Sequence, residues 1–169
     1  APGMQAAGRV RVEALFDRVP LTYELTQGGV AAAGGAANRT LEIGLVLPTG
    51  EAFLDGPIPR WSDIRDLAIR AEQAGFDTVW VSDELLWRSA EGSPQGFWEC
   101  VAMTGAVAAA TSRVKVGTWI LSALHHNPGM AAKVAETLDE ISGGRFVFGL
   151  GAGHAGSQAR AFGLPEDHV

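Results

Sequence analysis

The residues of this chain best suited to chemistry gather in a few short stretches. Asp83 and Glu84 are adjacent acids that directly follow the apolar run DTVWV (77–81). On extended backbone neighbouring side chains point to opposite sides, so one acid can face a ligand while the other turns toward the sheet edge. Like charges at that spacing favour protonation of one of the two, and partial burial adds to the effect. Glu84 is expected to be that proton-donating acid, with Asp83 as its structural partner; a pair of solvated loop acids is the plain alternative. His125 and His126 form a second pair, but neighbours in extended chain diverge and no histidine at i+4 completes a ligand set, so no metal site is expected. The stretch GLGAGHAGS (149–157) holds a literal G-x-G-x-x-G in Gly151, Gly153 and Gly156. A dinucleotide fold needs a full helix, a further strand and an acid about 20 residues on. Pro165 cuts that helix short, which weighs against a Rossmann nucleotide binder. The glycines then read as a tight turn, or as backbone that lets a flat ligand come close. His154 reads as a polar contact to such a ligand or as an exposed loop residue. Cys100 has no histidine in register and reads as a buried structural thiol. No G-x-S-x-G, Walker A or H-E-x-x-H pattern occurs.

These residues need a scaffold, and the pattern of the chain supplies one from Leu41 onward. LEIGLVL (41–47), DTVWV (77–81), RVKVGTWIL (113–121) and RFVFGLG (145–151) are apolar runs of strand character,. Between them lie a helix over 61–75, capped by Ser62 and stopped by Gly75 with Ile64, Leu67, Ala68 and Ala71 on its apolar face, and a helix over 97–110,. A third helix opens at Asn127 and Pro128 and runs to about Ser142, with Met130, Val134, Leu138 and Ile141 inward and Gly143 and Gly144 ending it,. Strands with little alternation, each followed by a helix, are parallel βα units, so the fold class is α/β. An open doubly wound sheet and half of a (β/α)8 barrel both fit. In either, ligands sit at the carboxyl ends of the strands. That narrows the site to Pro48 and Thr49, to Ser82, Asp83 and Glu84, to 120–127 and to 149–157. Trp61, Trp80, Trp87 and Trp98 are expected to pack in the core or between helix and sheet, while Trp119 stands near a strand mouth.

Composition excludes several classes. The 169 residues carry 13 basic and 19 acidic side chains, for a net charge of -6, with 47% hydrophobic and 19% charged residues. That is a globular balance with no basic cluster for phosphates, so nucleic acid is not expected as a partner. No apolar stretch is long and uncharged enough for a membrane span, and no secretory leader is legible. A single cysteine fits a reducing, cytoplasmic setting. Residues 1–40 carry two Gly-Gly pairs and no sustained period; they read as a flexible low-complexity extension in which Val10–Leu25 forms a short helix or strand,.

Four segments in order carry a family resemblance: AEQAGFDTVWVSDELLWR (71–88), GFWECVAMTGAVAAATSRVKVGT (96–118), NPGMAAKVAETLDEISGGRFVFGLGAG (127–153) and AFGLPEDH (161–168). Together they resemble the N-terminal half of a luciferase-like flavin-dependent oxidoreductase, of the bacterial luciferase superfamily. The resemblance implies a TIM barrel, of which 41–169 is the first half with four strands and about three helices. It implies FMN or an 8-hydroxy-5-deazaflavin at the strand ends, and a small-molecule substrate. With reduced FMN and oxygen the chemistry is that of a monooxygenase, and with the deazaflavin it is hydride transfer. It also implies a flavin reductase as partner and a homo-oligomer for the full-length form. By position, Trp119 and Ile120 match the place of a non-prolyl cis peptide against the flavin ring, with Ser82 and Leu121 beside it. Gly151, Ala152 and Gly153 match a segment along the ring and ribityl chain, and Ser157 a polar contact. Glu84 stands where many members carry an acid–base histidine. The family's strands 5 to 8 and most of its phosphate grip lie beyond the equivalent of Val169. The chain therefore reads as a fragment, inactive alone, or as a noncatalytic half-barrel or partner-dependent subunit.

Overall fold

The computed structural model describes residues 9–16, 19–26, 41–51, 57–87, 92–153 and 157–164. The chain separates into two units, one ending at Leu41 and one running from Glu42. In the first, β1 (Arg9–Phe16) and β2 (Val19–Thr26) pair as an antiparallel hairpin, with Phe16 opposite Val19. The glycine-rich stretch that follows lies outside the described residues.

The second unit runs β3 (Gly44–Val46), α1 (Trp61–Ala74), β4 (Thr78–Val81), β5 (Leu86–Trp87), β6 (Gln95–Gly96), α2 (Cys100–Ala110), β7 (Lys115–Thr118), β8 (Leu121–Ser122), α3 (Pro128–Ser142), β9 (Phe146–Val147), β10 (Leu150–Gly151) and α4 (Ser157–Ala161). Its main sheet has the order β3-β4-β7-β9, every pair parallel. That order decides between the two architectures left open by the sequence. A doubly wound sheet reverses its strand order at a switch point, whereas a barrel adds each strand beside the last. Here each new strand lies beside its predecessor, so these are the βα units of the N-terminal half of a (β/α)8 barrel.

The core forms where α1 and α2 cover one face of the sheet. Val79 and Val81 of β4, Val116 of β7, Ile64, Ala68 and Ala71 of α1, and Cys100, Val107 and Ala108 of α2 make one buried cluster. On the opposite face the Trp80 ring spreads over the neighbouring strands. A Cβ at Gly44 of β3 or Gly117 of β7 would collide with that ring, so these two glycines are the room in which the indole lies,. Trp119 meets Trp80 edge-on, with ring centroids 5.7 Å apart.

Local signals set most helix ends. Asn127 caps α3 by accepting from Gly129 and Met130 N–H, with Pro128 in the first turn, and Gly75 and Gly143 end α1 and α3 in the left-handed region at φ 85° and 67°,. Three expectations change. The N-cap of α1 is Arg60 rather than Ser62, because the Asp63 carboxylate reaches back to the Arg60 N–H,. The helix expected from 97 begins at Cys100. Glu99 caps it, and Trp98 is held by its own backbone N–H to Thr49 O and its ring N–H to Pro59 O. On α3 the buried residues are Ala131, Leu138 and Ser142, while Met130 and Ile141 face outward. Leu138 is common to the expected and the observed face, and the apolar period alone does not fix the small rotation that buries Ala131 and Ser142 beside it,. The tryptophans also differ from expectation: Trp61, Trp87 and Trp98 are exposed, as is Trp119, and only Trp80 is packed into the fold. No helix among the described residues is long and apolar enough to cross a membrane.

Candidate functional site

The carboxyl ends of the parallel strands bring the expected stretches to one edge. After β4, Ser82 and Asp83 are buried, and the neighbouring Glu84 is half-buried. The two acids diverge as extended backbone requires. Asp83 turns to the next strand, where its Oδ2 accepts from the Ser122 N–H at 2.7 Å and lies 3.0 Å from His126 Nε2. Glu84 turns to α4, where its Oε2 accepts from Gln158 Nε2 at 2.7 Å. The same Gln158 side chain accepts from the Leu85 N–H through Oε1 at 3.0 Å. Each carboxylate therefore has its own donors, and the two acids face different elements, as expected of neighbours on extended backbone,.

The strand expected over 113–121 is two strands, β7 and β8, and the Trp119–Ile120 peptide between them is cis. This is the position at which the resemblance implies such a bond. Trp119 N–H donates to Val81 O at 2.7 Å, and Leu121 N–H to Gly149 O at 2.8 Å, so both ends of the break stay tied to neighbouring strands. Leu121 is fully buried. The Trp119 and Ile120 side chains are about half exposed, at 49% and 51%, and form an open apolar platform.

Against this platform lies the glycine segment. β10 pairs in parallel with β8, Gly151 opposite Ser122. A Cβ on Gly151 would collide with the Ile120 side chain, and one on Gly153 with Ser122 Oγ; Gly153 also sits at φ 82°, in the left-handed region that favours glycine,. The segment needs its glycines so that β10 can press on β8. The flat neighbour expected there is in part the chain itself. Ala152 between them is exposed. α4, with five residues, is not the long helix a Rossmann unit needs,. Ser157 opens α4 with its backbone while its side chain lies outside the described residues, as do His154 and Gly156.

Two buried hydroxyls at these strand ends, Thr49 Oγ1 after β3 and Ser122 Oγ on β8, have no hydrogen-bond partner among the described residues. A buried polar atom without a partner costs about 1–3 kcal/mol, so such atoms mark places where a ligand or water completes the bonding. An open apolar platform with an orphan hydroxyl two residues on, at Ser122, and a second at the end of β3, fits a planar cofactor with a polar chain. Trp119 and Ile120 would lie against the ring, and Ser122 and Thr49 would meet polar atoms.

Cys100 is buried, as the sequence suggested. Burial pushes its thiol well above the ordinary range and the Asp83 charge adds to this, which leaves no reactive thiolate,. No group of three or more potential metal ligands occurs among the described residues. Sequence reasoning missed Gln158, the link from Asp83 to His126, and two scaffold anchors. Glu72 accepts from three successive backbone N–H groups, Ser112, Arg113 and Val114, at 2.9, 2.6 and 2.9 Å. Arg145 donates to Ala108 O, Thr111 O, Val114 O and Thr111 Oγ1. All of these partners are 31 or more residues apart in sequence, beyond the reach of any local pattern.

A row of parallel βα units in the order β3-β4-β7-β9, with an apolar platform and buried polar side chains at the strand ends, is the first half of a (β/α)8 barrel. The sequence pattern of the luciferase-like monooxygenases matches residues 41–168, and the chain belongs to that family. It is 40% identical over 95 residues to an F420-dependent glucose-6-phosphate dehydrogenase of Amycolatopsis mediterranei, a match covering 55% of this chain and 28% of that protein. It is 33% identical over 119 residues to a 4-hydroxyprotoasukamycin monooxygenase of Streptomyces nodosus subsp. asukaensis, covering 69% of this chain and 29% of that protein. Among solved structures, an F420-dependent secondary alcohol dehydrogenase in complex with an F420-acetone adduct superposes with a TM-score of 0.59 at 30% identity, over 72% of this chain and 34% of the other. The chain spans about a third of the length of the relatives it matches.

Proposed function

We propose that the protein carrying this chain is a cofactor-dependent oxidoreductase of small organic molecules, and that its cofactor is a deazaflavin of the F420 type. The observation that carries the reading is the open Trp119–Ile120 platform followed by the orphan hydroxyl of Ser122, with the orphan Thr49 hydroxyl at the end of β3, at the strand ends where barrel ligands sit,. The preference for a deazaflavin rests on relatives: five glucose-6-phosphate dehydrogenases described as F420-dependent match at 37 to 40% identity, and the monooxygenase at 33%. When bound, a deazaflavin supplies a two-electron hydride acceptor, and reduced FMN an oxygen-activating reductant. With FMN, a flavin reductase would be the partner. A homo-oligomer remains the assembly proposed for the full-length form.

The chain's own residues would bind, orient and move a proton. Ser82, Trp119, Ile120, Leu121, Gly151, Ala152 and Gly153 form the proposed cofactor wall, with Ser157 further along. Glu84, held by Gln158 through Oε2, keeps Oε1 without a partner among the described residues. That oxygen is the one proposed to hold a proton and give it to a bound molecule. Replacing Glu84 by Gln keeps the shape and removes ionisation. Turnover should then fall about 100-fold, within the range of a lost general acid, while cofactor affinity stays near that of the parent. Unchanged turnover would leave Glu84 as an anchor for α4 with no part in the chemistry. For the cofactor, titration of the full-length protein with F420 and with FMN, followed by fluorescence, should give saturable F420 binding. Binding of FMN alone selects the monooxygenase reading, and binding of neither overturns the function proposed.

A further inference from the structure

We propose that the N-terminal hairpin is a self-association element: the free edge of β1 pairs antiparallel with β1 of a second copy of this chain, with Val12 on the two-fold axis. The proposal concerns the first unit alone and does not depend on the cofactor reading.

The hairpin is two-sided. Its register is unbroken from Arg9 opposite Thr26 to Phe16 opposite Val19. Residues directly opposite each other share a face of the ribbon, and faces alternate along each strand. Val10, Val12 and Phe16 therefore share one face with their opposites Leu25, Tyr23 and Val19, and Arg9, Arg11 and Glu13 lie on the other. A two-stranded ribbon is marginal in water, and three or more strands with an apolar face are needed for independent stability.

Pro20 shows which edge is open. A proline has no N–H to give to a ladder, so its nitrogen belongs on the outer side of β2. Pro20 and the opposite Leu15 are then a pair that exchanges no hydrogen bonds with each other. Such pairs alternate with hydrogen-bonded ones, so Glu13, Arg11 and Arg9 also turn their N–H and C=O away from β2,. The outer edge of β2 lacks a donor at Pro20, whereas β1 has a full row from Arg9 to Leu15. A row of that kind is a template for a further strand.

Charge then selects partner, direction and register. Within the hairpin Arg11 stands opposite Glu24, but Glu13 stands opposite Thr22. The polar face carries Arg9 and Arg11 against Glu13 and Glu24, a balance that offers no field to a strongly charged partner,. A second β1 strand is self-complementary to it. In the antiparallel pairing centred on Val12, Arg11 faces Glu13 of the second copy and Glu13 faces its Arg11, as an isologous contact requires. A register centred on Arg11 or on Glu13 sets like charges against each other on the axis, which is unfavourable. A slip of one residue mixes the apolar and polar faces. The Val12 register alone keeps the apolar face continuous over four strands and matches both charges.

The test is cross-linking of the full chain. In this register the two Val12 residues are a close, non-hydrogen-bonded pair with Cα atoms about 4.5 Å apart, inside the roughly 4.4–6.8 Å that a disulfide spans. Val12→Cys should form a disulfide dimer under mild oxidation, and the buried Cys100 does not compete. Tyr23→Cys, opposite Val12 on β2, would lie three strand spacings, about 14 Å, from its copy and should not. In the Val12→Cys background, Glu13→Arg and Arg11→Glu should each slow cross-linking about ten-fold, and an equimolar mixture of the two should restore it, because one then presents two arginines to two glutamates. If Val12→Cys does not fold, by circular dichroism, Val10→Cys mixed with Ala14→Cys reads the same register. Cross-linking of Tyr23→Cys as fast as Val12→Cys would place β2 at the interface and overturn the proposal. Absence of cross-linking at position 12 overturns it as well, and is the result for face-to-face stacking, which holds the sheets about 10 Å apart. Cross-linking indifferent to both charge reversals overturns the register.

Discussion

Replacing Gly153 by Ala tests whether the glycine segment is required by backbone conformation, by close packing, or by both. Gly153 sits at φ 82°, and a Cβ there would collide with Ser122 Oγ and stand 3.0 Å from Leu124 Cβ. Gly143, at the end of α3, has φ 67° and nothing within 4 Å of the same atom. The two positions share left-handed strain and differ in packing. A non-glycine residue in that region costs roughly 1–2 kcal/mol, and overpacking adds typically about 1–3 kcal/mol. Gly143→Ala should therefore lose about 1–2 kcal/mol of unfolding free energy, and Gly153→Ala about 2–5 kcal/mol as the sum of the two effects. Urea denaturation of the full-length protein, followed by tryptophan fluorescence, reads both. Because the displaced atom is the orphan Ser122 hydroxyl beside the cis segment, only Gly153→Ala should also weaken cofactor binding. Equal losses for the two variants, with unchanged cofactor affinity in both, would refute the packing argument.

Arg145 donates to the Ala108 and Thr111 carbonyls at the end of α2, which lack helical N–H partners, and to the Val114 carbonyl just before β7,. Arg145→Met keeps the stem and should cost about 2–4 kcal/mol, since hydrogen bonds from a charged donor contribute about 1.5–3 kcal/mol each and some carbonyls regain water; a thermal midpoint within error of the parent would count against it. For Glu72, burial raises the carboxyl pKa, but donation from Val114, Arg113 and Ser112 outweighs this and the net shift is downward from 4.5. Its contribution is thus complete above pH 4.5 and fades as pH falls through the lower, folded-state value,. The stability gap between parent and Glu72→Gln should close in acid, and a gap independent of pH would contradict the three-donor account. Cys100, with its thiol pushed upward by burial, should resist alkylation by iodoacetamide at pH 8 in the native protein and react in urea; ready labelling without denaturant would show that the thiol is open.

Much of the fold was legible in the chain because its signals are local. Caps and stops such as Asn127, Pro128, Gly75 and Gly143 act within a few residues, and apolar runs at 41–47, 77–81, 113–121 and 145–151 foreshadowed the strands. Local reading failed where two local solutions compete. Ser62 is a good cap by type, yet the Asp63 carboxylate one residue on makes Arg60 the boundary. Of the face Met130, Val134, Leu138 and Ile141, Leu138 is buried as expected while Met130 and Ile141 are exposed, because packing against neighbouring elements turns Ala131 and Ser142 inward beside it.

The sequence by itself determined the α/β class, the order of strand and helix, and the strand-end stretches where polar residues collect, since each depends on spacing along one segment. Tertiary structure alone decided the rest. The β3-β4-β7-β9 order, which separates a barrel from a doubly wound sheet, is a matter of which strands hydrogen-bond across the sheet. The division of Asp83 toward His126 and Glu84 toward Gln158 joins residues 43 and 74 positions apart. Glycines at 151 and 153 could be read as room for a ligand until the Ile120 and Ser122 side chains were found against them. Such pairings arise because chain segments distant in sequence compete for the same space and the same donors, and that competition is settled only when the sheet has assembled.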